Sequence, residues 1–108
     1  MKQYNQYEMI VVNLDHTIEA AVTKKRPYLI ISPDVMNEQM ATVVVCSITS
    51  QESPFSTRVS FDFEGQGYWI VMDQMRTIDK RRITKSLGGL PKDKIKQVKE
   101  VMKETYVD

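Results

Sequence analysis

Few side chains in this sequence are equipped for acid–base, nucleophilic or metal chemistry. There is one imidazole, His16, and one thiol, Cys46. Histidine is the side chain whose ordinary pKa lies nearest neutrality, but a lone loop histidine gives only weak support for a Ser–His or Cys–His couple. Cys46 sits in the run TVVVCSI, the setting of a small buried hydrophobe rather than of a reactive thiol. The carboxylates do not cluster at metal-ligand spacing. Gly65, Gly67, Gly88 and Gly89 match no phosphate-binding loop. What remains is a set of polar residues at the ends of apolar runs: Arg26 before one, Thr49 and Ser50 after another, Gln74 after a third. Brought together, these would bind an anion. A guanidinium offers forked donors matched to phosphate oxygens, and hydroxyls and an amide add directional bonds. Periodicity alone does not bring them together, and Ser and Thr at strand ends commonly serve turns.

The elements that must position these residues are mostly short strands. EMIVVNLD (8–15), PYLIIS (27–32) and ATVVVCSIT (41–49) are rich in β-branched residues, as strands are. Between the second and third, Pro33 and Asp34 open a turn or a short helix. TRVSFDFE (57–64) alternates, with Val59, Phe61 and Phe63 on one face and Ser60, Asp62 and Glu64 on the other; that is a half-exposed antiparallel strand. EGQG reads as a turn with two glycines, and YWIVM (68–72) returns as the hairpin partner. MRTID (75–79) can add one more short strand. After GGLP the period changes: Ile95, Val98, Met102 and Thr105 recur at helical spacing beside Val101, with lysines mainly on the other faces. Pro91 and Asp93 suit the helix start, and Gly88 and Gly89 suit the loop before it. Several strands followed by one terminal helix point to a small antiparallel barrel or a strongly bent sheet.

With 108 residues, 42% hydrophobic and 27% charged, the chain has the composition of one soluble globular domain spanning 1–108. No apolar run approaches the length of a membrane span. The opening MKQYNQYEM lacks the apolar core of a secretory leader, and with a single cysteine it fits a reducing cytoplasm. Net charge is only +1 but unevenly placed. Residues 80–108 carry nine Lys or Arg against four acids, residues 1–79 six against ten. A basic end segment suits a polyanion or an acidic protein partner, although a solvated lysine-rich helix face accounts for most of the same charges.

Four blocks in order carry a resemblance over nearly the whole length. IVVNLDHT looks like a first strand with a Leu-Asp-Pro-Thr ending. KKRPYLIISPDVMN resembles an Arg-Pro block followed by Ser-x-Asp and Asn. VVVCSITS is similar to a third strand ending in Thr-Ser. MDQMRTIDKRRI resembles an Asp-Gln-x-Arg-Thr-x-Asp-Lys-x-Arg block, followed by Gly-x-Leu and a closing helix. Together they make the chain resemble the MazF/PemK-like toxins of bacterial type II toxin–antitoxin systems. That resemblance implies a mainly β fold with α, an SH3-like (CcdB/PemK-type) barrel of short antiparallel strands with a C-terminal helix, assembled as a homodimer. It implies a ribosome-independent endoribonuclease that cuts single-stranded RNA at short sequences, using no metal or cofactor. By the same analogy Arg26 and Thr49 form the catalytic pair, and Gln74 helps to shape the RNA site, with Asp73 structural. Ser50, Lys24, Lys25, Glu19 and His16 border the RNA, while Arg82 contacts RNA or holds the fold. The expected partners are RNA and a cognate antitoxin with a flexible acidic segment; DNA would be reached only through the antitoxin, and no membrane is involved.

The loop between the first two strands departs from the family pattern. His16 replaces a proline, the family's Gly-Ser-Glu aligns to Glu19-Ala20-Ala21, and Tyr7-Glu8 stands where Gly-Asp usually opens the first strand. In the family this loop borders the RNA site, so the departures bear on sequence preference. Two further readings stay open: a gyrase-poisoning toxin of the same fold, and a catalytically inactive barrel acting as an interaction module. Pro27 fixes φ and disfavours helix at Arg26, holding that residue extended at the strand edge.

Overall fold

The computed structural model describes residues 3–14, 25–52 and 57–107. In chain order the elements are β1 (Glu8–Asn13), β2 (Lys25–Ile30), α1 (Asp34–Gln39), β3 (Thr42–Thr49), β4 (Arg58–Phe63), β5 (Gln66–Asp79), a 3-10 turn (Lys80–Arg82), β6 (Ile83–Gly89) and α2 (Lys92–Tyr106). The six strands form one sheet in the order β4-β5-β3-β2-β1-β6, and every pairing is antiparallel. The sheet is curled into a half-barrel with α2 packed on it, the mainly β architecture with a terminal helix that was expected.

Alternation along the strands divides the apolar side chains between two clusters on opposite faces of the sheet. Met9, Leu29, Cys46, Ile48, Ile70 and Met72 face α2, whose Val98 is buried among them. Ile10, Val12, Tyr28, Ile30, Val43 and Val45 face the other way and are closed by Tyr4 and Ile78. On α2, Ile95, Val101 and Met102 flank Val98 against the first cluster, as their helical spacing predicts. Short α1 is pinned by a buried polar knot. Ser32 Oγ donates to Asn37 Oδ1 at 2.5 Å and accepts from Val44 N–H at 3.0 Å, and Asn37 Nδ2 donates to the Ser32 carbonyl. Lys80 Nζ closes the knot from outside on the Asn37 carbonyl.

Four expectations are corrected. Strand β2 begins at Lys25 rather than at Pro27, because Lys25 and Arg26 continue the ladder opposite Asn13 and Val12. The turn after β4 is only Glu64-Gly65, both with positive φ (50° and 80°), the tight pair that a hairpin twist favours. Gly67 is already inside β5. YWIVM and MRTID are not separate strands but one, β5, running through 14 residues. Finally, Gly88 and Gly89, expected in the loop before the helix, are the end of a strand, β6 (ITKSLGG), paired with β1. Gly88 has φ +95° where Leu87 is squeezed out of register between Met9 and Ile10 of β1; a glycine there relieves the left-handed backbone of a bulge.

Candidate functional site

The register of the sheet assembles a row that no local pattern contains. Tyr28 of β2 lies opposite Ser47 of β3, Ser47 opposite Val71 of β5, and Val71 opposite Arg58 of β4. Directly paired residues project to the same face, so this row crosses four strands on one side of the sheet. Two residues along β2 and β3 come Arg26 and Thr49, on that same face by alternation.

Strand β5 supplies the rest through an irregularity. Cys46 pairs with Met75 while its neighbour Ser47 pairs with Val71, so Met72, Asp73 and Gln74 have no counterparts on β3. Three extra residues reverse the alternation. Ile70 and Met72 face α2, whereas Ile78 and, by its pairing with Val45, Arg76 face the opposite side. Arg76 thereby joins the face of Arg26 and Arg58, and Gln74 is lifted out at the bulge. Asp73 is turned the other way, accepting from Thr57 Oγ1 at 3.1 Å.

The result is a cleft of about 720 Å³. Arg26, Arg58 and Arg76 line it together with Thr49, Ser50 and Gln74, over a floor that includes Tyr28, Ser47 and Val71. No carboxylate is among its described lining residues. Three guanidinium groups around one hollow make a strongly anion-attracting field. Arg76 Nη1 donates to the Tyr28 hydroxyl at 3.2 Å, which orients the guanidinium across the cleft. Thr49 Oγ1 accepts from Gln51 N–H at 3.2 Å, leaving its own hydroxyl hydrogen to be given elsewhere.

Of the residues singled out from sequence, Arg26, Thr49, Ser50 and Gln74 thus meet in one cleft. Lys25 is exposed at the start of β2 and is not among the lining residues. Arg82 lies in the 3-10 turn, where its Nη1 reaches the Asn13 carbonyl at 3.5 Å, away from the cleft lining. His16, Glu19 and Lys24 lie outside the described residues. Sequence reasoning missed Arg58 and Arg76 as site residues. A faint signal for Arg58 existed: it precedes Ser60 and Asp62 on the polar face of an alternating strand.

Elsewhere the titratable groups have structural explanations. Cys46 is fully buried, and its thiol is pushed up to about 12, first by desolvation and then by the charge of Asp73; a thiol so shifted is inert at neutral pH. Asp79 is lowered to about 2, chiefly by the hydrogen bonds it accepts from the Arg81 guanidinium and backbone N–H. Among the described residues no group of three or more His, Cys, Asp or Glu stands together as a metal-holding set. No described helix is long and apolar enough to cross a membrane.

Comparison with known proteins gives one consistent answer. The family model described as "PemK-like, MazF-like toxin of type II toxin-antitoxin system" matches residues 5–106. The curated protein Endoribonuclease EndoA of Bacillus subtilis (strain 168) is 32% identical over 83 residues, covering 71% of this chain and 72% of that protein. Among solved structures, MazF (Form-I) from Deinococcus radiodurans superposes with a TM-score of 0.79 at 19% identity, covering 100% of both chains. An endoribonuclease in complex with its cognate antitoxin, from Mycobacterial species, gives 0.79 at 18% identity, over 94% of this chain and 92% of that one. At such identities the structural matches speak to the fold.

Proposed function

The chain belongs to the PemK-like, MazF-like toxins of type II toxin–antitoxin systems, and from that premise we propose that it cleaves single-stranded RNA in the cleft between Arg26 and Thr49. It is an endoribonuclease toxin; the substrate form, the chemistry and the residue roles are the proposed part. The observation carrying the reading is the convergence of Arg26 and Thr49 with Gln74, Arg58 and Arg76 around a hollow whose described lining holds no carboxylate.

Chemically, the 2′-hydroxyl of one nucleotide attacks the adjacent phosphorus. The 2′-O–P bond forms, the P–O5′ bond breaks, the 2′-proton is lost, and the departing 5′-oxygen gains a proton. The products are a 2′,3′-cyclic phosphate and a 5′-hydroxyl. Negative charge builds on the non-bridging oxygens in the transition state, where preorganised cationic donors stabilise it more than they do the ground state. Arg26 serves as the electrostatic clamp and Thr49 as a hydroxyl donor to the phosphoryl group. The forked guanidinium matches the geometry of phosphate oxygens, which suits it to the clamp role. Gln74, on its bulge, is suited to contact the RNA beside the reacting phosphate.

The partner proposed is an antitoxin whose flexible acidic segment occupies the same arginine-lined cleft; solved neighbours include a toxin–antitoxin complex. The working form proposed is a homodimer. The test is incubation of a long single-stranded RNA with the purified protein in EDTA, beside Arg26→Ala, with both new ends mapped. Discrete cuts bearing 5′-hydroxyls, slowed about 10²–10³-fold in the variant, are expected. Intact RNA would overturn the reading; gyrase-dependent DNA breakage in its place would point to the gyrase-poisoning class, and neither activity to an inactive module.

A further inference from the structure

The arginine-lined cleft does not end at polar walls. Pro27, Ile48 and Tyr68 line it and also line a second, apolar recess of about 220 Å³. Beyond them the recess is made by Met9 and Leu87 on one side and Phe61 and Phe63 on the other, with no charged side chain among its described walls. Tyr68 stands at the junction. It is paired across the ladder with Phe61, and their rings stack with centroids 5.8 Å apart and planes inclined by 29°. Phe61 is buried, whereas Tyr68 is only half-buried. One ring of the pair is therefore locked in the core and holds the other in place at the mouth.

A nucleotide has the same two-part character: a charged phosphate joined through its sugar to a flat base with apolar π faces. Single-stranded RNA is held by such combinations, a cationic track for the backbone beside aromatic rings on which unpaired bases stack. A ring already fixed by its neighbour loses little freedom on stacking, so more of the contact energy is kept. Resting on the reading that the arginine cleft receives the scissile phosphate, we infer that the apolar recess seats an unpaired nucleobase next to that phosphate, with Tyr68 as its stacking face. Only a base free of a duplex can turn into the recess, so the same feature selects single strands. Tyr68 is on this account a binding and specificity residue, not a catalytic one.

The test separates stacking from cleavage. Short single-stranded RNAs with every 2′-hydroxyl methylated, and therefore uncleavable, carry the fluorescent base 2-aminopurine at each position in turn. They are titrated into the wild-type protein, Tyr68→Leu and Tyr68→Phe, with melting temperatures showing that each is folded. Strong quenching at one position is expected with the wild type and with Tyr68→Phe, which keeps the π face. Tyr68→Leu should lose that quench and bind roughly tenfold or more weakly. With a cleavable RNA library, Tyr68→Leu should also show a raised KM and a relaxed base preference at one position flanking the cut. An abasic nucleotide placed there should cost the wild type the same factor and the leucine variant nothing further. Absence of a Tyr68-dependent quench, or an equal loss on abasic and normal RNA, overturns the inference. Quenching without any cleavage would leave the base seat standing and overturn the nuclease reading; cleavage that is indifferent to Tyr68 would do the reverse.

Discussion

Arg76 reaches across the cleft face because Tyr28 gives its guanidinium something to hold. The hydroxyl is the only polar atom of a ring otherwise buried in the second core cluster. Tyr28→Phe keeps the ring and removes the anchor. The expected outcome is a fold of nearly unchanged melting temperature with kcat/KM for RNA cleavage lowered roughly tenfold, about 1.4 kcal/mol of transition-state stabilisation, read from steady-state kinetics. At the 3-10 turn the residue that matters is Asp79, whose carboxylate accepts from the N–H and guanidinium of Arg81. Its pKa falls from 3.8 to about 2 on folding, so the charged form stabilises the native state above the ordinary carboxylate range. That contribution disappears as pH falls toward 2. Asp79→Asn should melt below the wild type at pH 7, and the gap should close as both are melted at successively lower pH between about 4 and 2.

At the scale of elements, helix α2 does more than cover a core face. Tyr106, at its last turn, donates its hydroxyl to the Met72 carbonyl at 2.7 Å. Met72 is the first residue of the β5 bulge, so the helix end is tied to the segment that carries Gln74. Tyr106→Phe should cost about 1 kcal/mol of stability in denaturant unfolding and raise KM for RNA more than it lowers kcat, as a looser bulge presents Gln74 less well. The same bulge marks how far the sequence could be read. RVSFDF announces itself by alternation and TVVVCSIT by its run of β-branched residues. So does α2, by its 3.6-residue period. Strand β6 does not, because ITKSLGG is mostly exposed, carries two glycines and breaks register twice against β1. Arg26, Thr49 and Gln74 could be picked out as strand-end residues, but Arg58 and Arg76 could not be joined to them. Their meeting depends on pairings between residues far apart in sequence and on a three-residue slip, neither of which leaves a local periodic trace.

For the whole molecule the decisive quantity is where charge lies, since the net is only +1. Acidic residues prevail before residue 80, yet among the described residues the cleft built from that portion collects three arginines and no carboxylate. Binding to single-stranded RNA should therefore be strongly salt-dependent despite a nearly neutral protein. If the three cleft arginines each neutralise a phosphate, the plot of log K against log salt should have a slope near about −2. Replacing Arg58 by Gln should flatten it by about 0.7. Fluorescence anisotropy at several salt concentrations checks both values. A slope unchanged by the substitution would remove Arg58 from the RNA-binding surface.

The slip in β5 has one further consequence, which concerns chain length. Because it inserts an odd number of residues, plain alternation has to be broken once inside it for Cys46 and Ser47 both to keep partners on their own faces. Losing one of the three would leave two, and simple alternation would then carry Ile70, Met72 and Met75 to the α2 side and Arg76 and Ile78 to the other with no break at all. Losing two would again demand one, as in an ordinary bulge. The pairings on either side can be held through such changes, so the segment is spare length: a deletion there shortens the reach of Gln74 before it disturbs the core.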